Sequence, residues 1–240
     1  MSIKTKLIFF LSAMGIFLAI KDKDLAFISA LCVSVAAAAA VELIVVYIKT
    51  RALRISQSSL ITGLIIGFVI SSDAGWLNII ITCSVAILSK HIIRFHKRHI
   101  FNPAAFGIFF AIILLGASTQ WKATYMWYAL IPFGIYFARS INKLEIIYGY
   151  AVVSLLLFGG QAIMQKTALP NIFLYFSYFY IFIMLIEPKT TPITKKGKYI
   201  FGITVAALVF IMTSAGVGFD VELSSLLAAN CAVPVLNILK

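Results

Sequence analysis

The chain has 240 residues, of which 62% are hydrophobic and 12% are charged, and its mean hydropathy is +1.04. Soluble domains average about 45–50% apolar and about 25% charged residues, so this composition excludes both a soluble globule and a disordered chain. The net charge of +12 comes from 20 Lys and Arg against 8 Asp and Glu. Because the basic residues lie between apolar runs, they indicate membrane orientation rather than nucleic-acid binding. The three cysteines are far apart within apolar runs, which excludes a disulfide framework and a zinc-binding spacing.

Ten apolar runs, separated by polar or charged residues, predict an all-α polytopic membrane protein with about ten transmembrane helices. In chain order the runs are Leu7–Ile20, Leu25–Ile48, Ile55–Ile70, Trp76–Ser89, Phe101–Leu115, Tyr125–Ala138, Leu144–Phe158, Ile172–Ile186, Tyr199–Ser214 and Leu223–Leu239. The first run lacks a small-residue cleavage site before Lys21, so we interpret it as a span rather than a signal peptide.

The distribution of Lys and Arg between the runs predicts the orientation of the spans. With the N-terminus in the cytoplasm, 16 of the 20 basic residues fall on the cytoplasmic side, as the positive-inside rule expects. The other four, Lys21, Lys23, Lys122 and Lys166, fall outside. We therefore expect both termini in the cytoplasm. A re-entrant hairpin over Ile55–Ser89 would give the same charge pattern and stays open as an alternative.

Several runs are shorter than the roughly 20 residues that a full crossing needs. Short runs bounded by Gly, Pro, Ser or Asn, as at Ser71–Gly75 and Phe101–Pro103, are typical of broken helices that frame a central site in inverted repeats. We expect a single membrane domain over residues 1–240, built from two inverted five-helix repeats at about residues 1–120 and 121–240.

Two polar turns on the predicted cytoplasmic side are candidates for chemistry. In RFHKRHIFNPAAFG (Arg94–Gly107), Asn102 is a good N-cap and Pro103 fits the first helical position. Either this is a plain cap beside orientation charges, or Asn102 and the helix end face an anionic or polar ligand. His91, His96 and His99 have no Cys or carboxylate nearby in sequence, so we expect solvated loop residues rather than a metal site.

The second turn, EPKTTPITKKGKYIFG (Glu187–Gly202), has two prolines that cannot continue the preceding helix. Its threonines are Thr190, Thr191 and Thr194, and three lysines follow. One interpretation is a rigid turn with orientation charges. The other is a pocket for a phosphate, a flavin edge or an acidic soluble partner.

Two features inside apolar runs remain. In SQSSLITGLIIGF (Ser56–Phe68), Gly63 and Gly67 have the small-xxx-small spacing of close helix packing, with a ligand against Thr62 and Gly63 as the alternative. Glu42 is a carboxylate well inside such a run, and intramembrane acids are functional candidates by default. Pairing with Lys49 or Arg51 is the competing interpretation.

Three segments carry a resemblance to a known family. FNPAAFG at Phe101–Gly107 resembles the Phe-Asn-Pro-Ala stretch of the B subunit of sodium-pumping NADH:quinone reductase and the D subunit of the Rnf electron-transport complex. The turn at Glu187–Gly202 is similar to that family's Thr-Asp-Pro-x-Thr-x-Pro turn. The run at Ser58–Gly67 resembles its Ser-x-x-x-Thr-Gly-Leu run, and all three occur in the same order and spacing.

The resemblance implies a two-repeat, ten-helix fold related to urea channels, in the inner (plasma) membrane of a prokaryotic cell. It implies a subunit of a flavin-dependent electron-transport complex that does not act alone and passes electrons from a soluble flavin or iron–sulfur reductase toward quinone or an outer acceptor. In the full complexes of this family, electron transfer is coupled to the movement of sodium ions or protons. Riboflavin or FMN, held non-covalently, would contact Thr62, Asn102, Glu187, Thr190 and Thr191, with Gly63 beside the first.

One departure concerns covalent flavin. Members of the family carry FMN on the threonine of a Ser-Gly-Ala-Thr motif in the outer loop after the fifth helix. The corresponding loop here reads GASTQWKAT (Gly116–Thr124), with Ser118 in place of the threonine and no Ser before Gly116. We therefore do not expect covalent FMN at Ser118 or Thr119.

Besides the redox subunit, two functions of other classes remain open. The same fold without redox chemistry would suit a channel or carrier for a small solute, although few polar residues line the apolar runs. A third possibility is a membrane anchor whose cytoplasmic lysines, Lys195, Lys196 and Lys198, hold a soluble reductase.

Overall fold

The structure is a computed structural model in which residues 1–95, 98–166, 173 and 176–239 are described. Within these residues the chain forms nine α-helices, a 3-10 helix, a π-helix and a two-stranded sheet. The α-helices are α1 (Ile3–Asp22), α2 (Leu25–Thr50), α3 (Gln57–Val69), α4 (Trp76–Ile92), α5 (Pro103–Leu115), α6 (Trp127–Ser140), α7 (Leu144–Met164), α8 (Lys195–Ser214) and α9 (Val221–Leu236). The other elements are the 3-10 helix Ser72–Ala74, β1 (Arg94–Phe95), β2 (Arg98–His99) and the π-helix Tyr180–Met184.

Five of the nine described α-helices, α1, α2, α3, α8 and α9, begin at a short polar side chain that caps them. The hydroxyl of Ser56 accepts a hydrogen bond from the backbone N–H of Ser59, and that of Thr194 accepts one from Gly197. The carboxylates of Asp24 and Asp220 cap α2 and α9 in the same way. These side chains satisfy N–H groups that have no partner within the helix. Inside a membrane such groups are costly to leave unpaired, so the caps locate the helix starts.

The prediction of an all-α polytopic membrane protein is confirmed. Four helices, α1, α2, α7 and α8, are long and apolar enough to cross a membrane, and α3, α4, α5 and α9 are shorter apolar helices. Each of the ten predicted apolar runs contains a helix. The described part of the eighth run differs from the others, because its core is the five-residue π-helix rather than an α-helix.

The chain divides into two compact units, Met1–Arg94 with Pro103–Ala123, and Phe95–Asn102 with Thr124–Lys240. In the first unit α2 packs against α3 and α4, and α4 packs against α5. In the second unit α7 packs against α8, and α8 packs against α9. The predicted inverted repeats at residues 1–120 and 121–240 stay a prediction.

A broken helix occurs in the first unit, where α3 ends after 13 residues. At 1.5 Å per residue α3 is about 20 Å long, which is less than the roughly 30 Å of bilayer hydrocarbon. The backbone N–H groups of Gln120 and Lys122 donate to the carbonyl groups of Val69 and Phe68, at 2.7 and 2.9 Å. The loop before Ala123 therefore satisfies carbonyl groups at the end of α3, as irregular backbone at membrane depth requires.

Candidate functional site

Four of the predicted site residues lie together in the second unit. Asn102 precedes α5, and Glu187, Thr190 and Thr191 lie in the turn between the π-helix and α8. Asn102, Thr190 and Thr191 are buried, whereas Glu187 is partly exposed. We call these four residues with His99 and Asn230 the polar cluster.

Asn230 of α9 links two parts of the polar cluster. Its Oδ1 accepts the backbone N–H of Asn102 at 3.0 Å, and its Nδ2 donates to the carbonyl oxygen of Thr190 at 3.0 Å. The side-chain Nδ2 of Asn102 donates to the carbonyl oxygen of Met184, at the end of the π-helix, at 3.2 Å. Because the Asn102 and Asn230 side chains are buried and bonded, they fix the turn against its neighbours.

Glu187 is the acceptor at the centre of the polar cluster. Its Oε2 accepts the hydroxyl of Thr190 at 3.1 Å, and its Oε1 lies 3.2 Å from Nε2 of His99. The hydroxyl of Thr191 donates to the backbone carbonyl of Glu187 at 2.7 Å. The prediction that His99 is solvated is wrong: its side chain is 6% exposed and contacts the carboxylate of Glu187, which is far away in sequence.

Basic side chains surround the turn of the polar cluster. Nζ of buried Lys143 donates to the carbonyl oxygen of Pro192 at 2.6 Å and to that of Thr191 at 3.4 Å. Burial, together with the nearby charges of Lys198 and Arg98, lowers the pKa of Lys143 to about 7. Burial therefore disfavours the charged form of Lys143.

A cavity of about 210 Å³ opens beside the polar cluster, within the second unit. Its polar lining includes Arg98, His99, Lys189 and Asn230. Its apolar lining includes Phe95, Ile100, Ile193, Val233 and Pro234. Small-molecule pockets usually measure about 300–1,000 Å³, so this cavity would enclose only part of a flavin.

The donors and acceptors at this cavity fit the polar parts of a flavin. Glu187 is not part of the lining but contacts His99, which is, and it offers a partly exposed carboxylate. Nη1 of Arg98 is buried without an acceptor among the described residues. A flavin presents ring carbonyl and N–H groups, and FMN adds a phosphate, all of which need such partners. The rest of the flavin would lie outside the cavity.

The other two predicted contacts, Thr62 and Gly63, lie in the first unit. The hydroxyl of Thr62 donates to the carbonyl oxygen of Ser58 at 2.9 Å, one turn earlier in α3. A Cβ added to Gly63 would lie 2.8 Å from the carbonyl oxygen of Ser34 and from Cα of Val35. The backbone of α3 thus packs directly on α2 at Gly63, which is the geometry expected for small-xxx-small spacing.

The loop that follows α5 in the first unit contains Ser118 and Thr119. Thr119 pairs with Ile70 in an isolated antiparallel bridge, and the carbonyl oxygen of Ser118 accepts the N–H of Ser71 at 2.9 Å. Nζ of Lys122 lies 2.7 Å from Asp24 and 3.2 Å from Asp22. The loop is therefore tied both to the end of α3 and to the turn between α1 and α2.

Glu42 has partners that differ from the expected ones. Its carboxylate lies 2.8 Å from Nζ of Lys90 and 2.9 Å from Nε2 of His91, and it accepts the hydroxyl of Ser56 at 2.7 Å. The expected pairing with Lys49 or Arg51 is wrong, because α4 packs on α2 and brings its own basic residues to the carboxylate. His91, predicted to be solvated, is mostly buried in this contact. The described residues contain no group of three or more potential metal ligands.

Sequence reasoning missed Asn230, Arg98 and Lys143 as members of this region. Asn230 had a detectable signal, since it is a buried amide within the apolar run of α9. Arg98 and Lys143 looked like orientation charges, and only the fold shows that they face the Pro188–Pro192 turn.

Comparison with known proteins gives the family of the chain. None of the curated proteins compared matches it significantly. The sequence model of the NQR2, RnfD, RnfE family matches residues 3–135 and 124–239, which together span nearly the whole chain. The matched segments contain the Phe101–Gly107 and Glu187–Gly202 motifs and the polar cluster that they form. The chain therefore belongs to the NQR2, RnfD, RnfE family and is a multi-pass membrane subunit of the Rnf/Nqr type.

Proposed function

We propose that the protein is the flavin-binding membrane subunit of a small Rnf/Nqr-like oxidoreductase. In this function it passes electrons from a soluble reductase toward quinone or an outer acceptor, with coupling to ion movement in the assembled complex. The observation that carries the proposal is the polar cluster, because the two motifs that resemble the family's meet there through Asn230. The family match supports the membrane-subunit part of the proposal.

The residues of the polar cluster would hold riboflavin or FMN non-covalently. A bound flavin supplies one- and two-electron transfer. Glu187 would accept a flavin N–H or hydroxyl. Asn102 and Asn230 keep the turn in place and so position Glu187, whose second oxygen is bonded to Thr190.

The proposed partner is a soluble flavin or iron–sulfur reductase with an acidic face. Lys189, Lys195 and Lys196 are exposed around the same turn, on the side that the positive-inside rule assigns to the cytoplasm. Complementary charge steers such encounters and raises association rates. In this arrangement both termini are cytoplasmic and the membrane is the inner membrane of a prokaryotic cell.

The test is flavin retention by the full chain purified in detergent with excess riboflavin and FMN. We expect the wild-type protein to show flavin absorption after gel filtration, without covalent attachment after denaturation. Glu187→Gln should reduce flavin retention about tenfold or more, because it removes the charged acceptor. Thr213→Val, at an exposed end of α8, is the control and should retain flavin.

The proposal fails if monodisperse wild-type protein never retains a flavin under these conditions. It also fails if Glu187→Gln and wild type retain equal amounts while both keep the same thermal midpoint. A variant that loses flavin and also unfolds would be replaced by Glu187→Asp, which keeps the charge and should retain flavin partly.

A further inference from the structure

The cavity beside the polar cluster has a basic rim that the proposed ring contacts do not use. Arg98 and Lys189 both line it, from β2 and from the turn before α8. His99, the third basic residue of the lining, already contacts the carboxylate of Glu187. The rim therefore presents two cations to a cavity whose remaining walls are mostly apolar.

Arg98 has unused hydrogen-bonding capacity. Its Nη2 donates to the carbonyl oxygen of Pro188 at 2.8 Å, which holds the guanidinium against the turn. Its Nη1 is buried and has no acceptor among the described residues. A buried donor without an acceptor is rare and costs about 1–3 kcal/mol. An oxyanion at the cavity would supply that acceptor.

The charged side chains around the cavity are mostly positive. Lys198 lies 3.4 Å from Glu145, and His99 contacts Glu187. Arg98 makes no ion pair with a carboxylate among the residues that the structure describes. Positive charge with few counter-charges between apolar walls focuses an electric field that attracts anions.

We propose that this cavity is a phosphate site, and that it selects FMN over riboflavin as the non-covalent flavin. The selection of a flavin rests on the proposed function, whereas the phosphate site follows from Arg98, Lys189 and the cavity alone. At about 210 Å³ the cavity accommodates a phosphate with the first part of its organic ester. Arginine suits this ligand because its planar fork can donate two hydrogen bonds to phosphate oxygens.

The test titrates FMN and riboflavin into the full chain in detergent and follows quenching of flavin fluorescence. We expect wild type to bind FMN at least about tenfold more tightly than riboflavin. Arg98→Gln should weaken FMN binding about 10–100-fold, the range for loss of a charge-assisted hydrogen bond, and leave riboflavin binding unchanged. Lys189→Gln, at an exposed position, should weaken FMN binding only a few-fold. Arg139→Gln, at the exposed end of α6, is the matched control and should change neither affinity.

Two further measurements separate the phosphate site from the flavin function. Inorganic phosphate should raise the thermal midpoint of wild type but not of Arg98→Gln. If phosphate does so while neither flavin binds, the phosphate site stands and the flavin function falls. If both flavins bind equally and Arg98→Gln alters neither affinity, the phosphate site is overturned and the flavin function survives.

A lipid headgroup is the other source of a phosphate group. The titration is therefore repeated in nanodiscs of phosphatidylcholine with and without phosphatidylglycerol. We expect the preference for FMN to persist in both. If phosphatidylglycerol abolishes the preference in wild type, the cavity holds a lipid headgroup and the selection of FMN is overturned.

Discussion

At the scale of single residues, charged side chains inside the units are held by partners from other helices. Glu42 of α2 is 4% exposed and contacts Lys90, which is 7% exposed. Burying an ion is expensive, and the attraction between the two charges repays the cost only while both are present. The Glu42 contacts therefore hold α2 and α4 in one register at the end of the two helices.

This arrangement predicts a large effect of Glu42→Gln. Loss of the charge leaves the ammonium of Lys90 buried beside a neutral amide, which should lower the free energy of unfolding by about 3–5 kcal/mol. The double variant Glu42→Gln with Lys90→Met removes both charges and should regain much of that loss. Denaturant titration of detergent-solubilised protein measures the difference, with exposed Asp73→Asn as control. A Glu42→Gln variant as stable as Asp73→Asn would contradict the role of the ion pair.

The ion pair between Lys122 and Asp24 predicts that the stability of the protein depends on pH. The hydrogen bond from Lys122 and the backbone N–H of Phe27 lower the pKa of Asp24 below its ordinary value. A carboxyl whose pKa falls on folding stabilises the protein above its unfolded pKa of about 3.9, and loses this contribution as pH falls through the folded pKa. Lys122 has its pKa raised by the same contacts, so it loses its contribution only as pH rises past about 10.4.

We therefore expect wild type to be more stable than Lys122→Met by about 1 kcal/mol or less at neutral pH, since the pair is partly exposed. The difference should shrink as the pH is lowered below about 4. Thermal midpoints of the two proteins measured across this range give the comparison. A difference that stays constant down to pH 3 would exclude Asp24 as the group responsible.

At the scale of elements, glycines set the distance between packed helices in both units. A Cβ on Gly63 would lie 2.8 Å from the backbone of α2, and one on Gly202 would collide with the carbonyl oxygen of Ile146 in α7. Backbone atoms cannot move aside as a flexible side chain can. Without a hydrophobic force between helices in lipid, this close packing supplies much of the association energy.

Gly63→Ala and Gly202→Ala should therefore each destabilise the protein by about 1–3 kcal/mol, the usual cost of overpacking. Gly160→Ala is the matched control, because it is also helical, is exposed and has nothing within 4 Å of the added Cβ. Its higher helix propensity should leave stability unchanged or raise it by about 1 kcal/mol. Thermal unfolding in one detergent compares all three. Equal midpoints for Gly63→Ala and Gly160→Ala would show that α2 and α3 do not touch at this glycine.

The sequence predicted these elements well, and the candidate site only in part. Apolar runs locate helices because the membrane requires satisfied backbone groups, so the ten runs each contain a helix. The turn at Glu187–Gly202 was predictable from its prolines. The histidine contacts of Glu42 and Glu187 were not, because His91 and His99 lie 49 and 88 residues away from these carboxylates in the chain, and the contacts depend on which elements pack together. The amide of Asn230 stands out in its apolar run. Its hydrogen bonds to Asn102 and Thr190 could be found only from the fold.

At the scale of the whole molecule, the distribution of basic residues assigns a side of the membrane to each loop. Of the 20 Lys and Arg, 16 fall in segments on one side of a ten-span arrangement. The orientation proposed from this charge puts the polar cluster, the basic cavity rim and the exposed lysines of the Glu187–Gly202 turn on the cytoplasmic side, where a soluble reductase could reach them. The same charge pattern predicts that the loop at Gly116–Thr124 is outside the cell.

Cysteine labelling of intact cells tests this orientation. Cys32 and Cys231 are replaced by serine, whereas buried Cys83 is kept, and single cysteines are introduced as Asp73→Cys or Lys195→Cys at exposed positions. A membrane-impermeant maleimide should label Asp73→Cys in intact cells and Lys195→Cys only after permeabilisation. The parent protein, which has Cys83 but no introduced cysteine, should remain unlabelled in both conditions. This control shows that buried Cys83 does not react. The reverse pattern would place the polar cluster on the outer side, and a cytoplasmic reductase could then no longer be its electron donor.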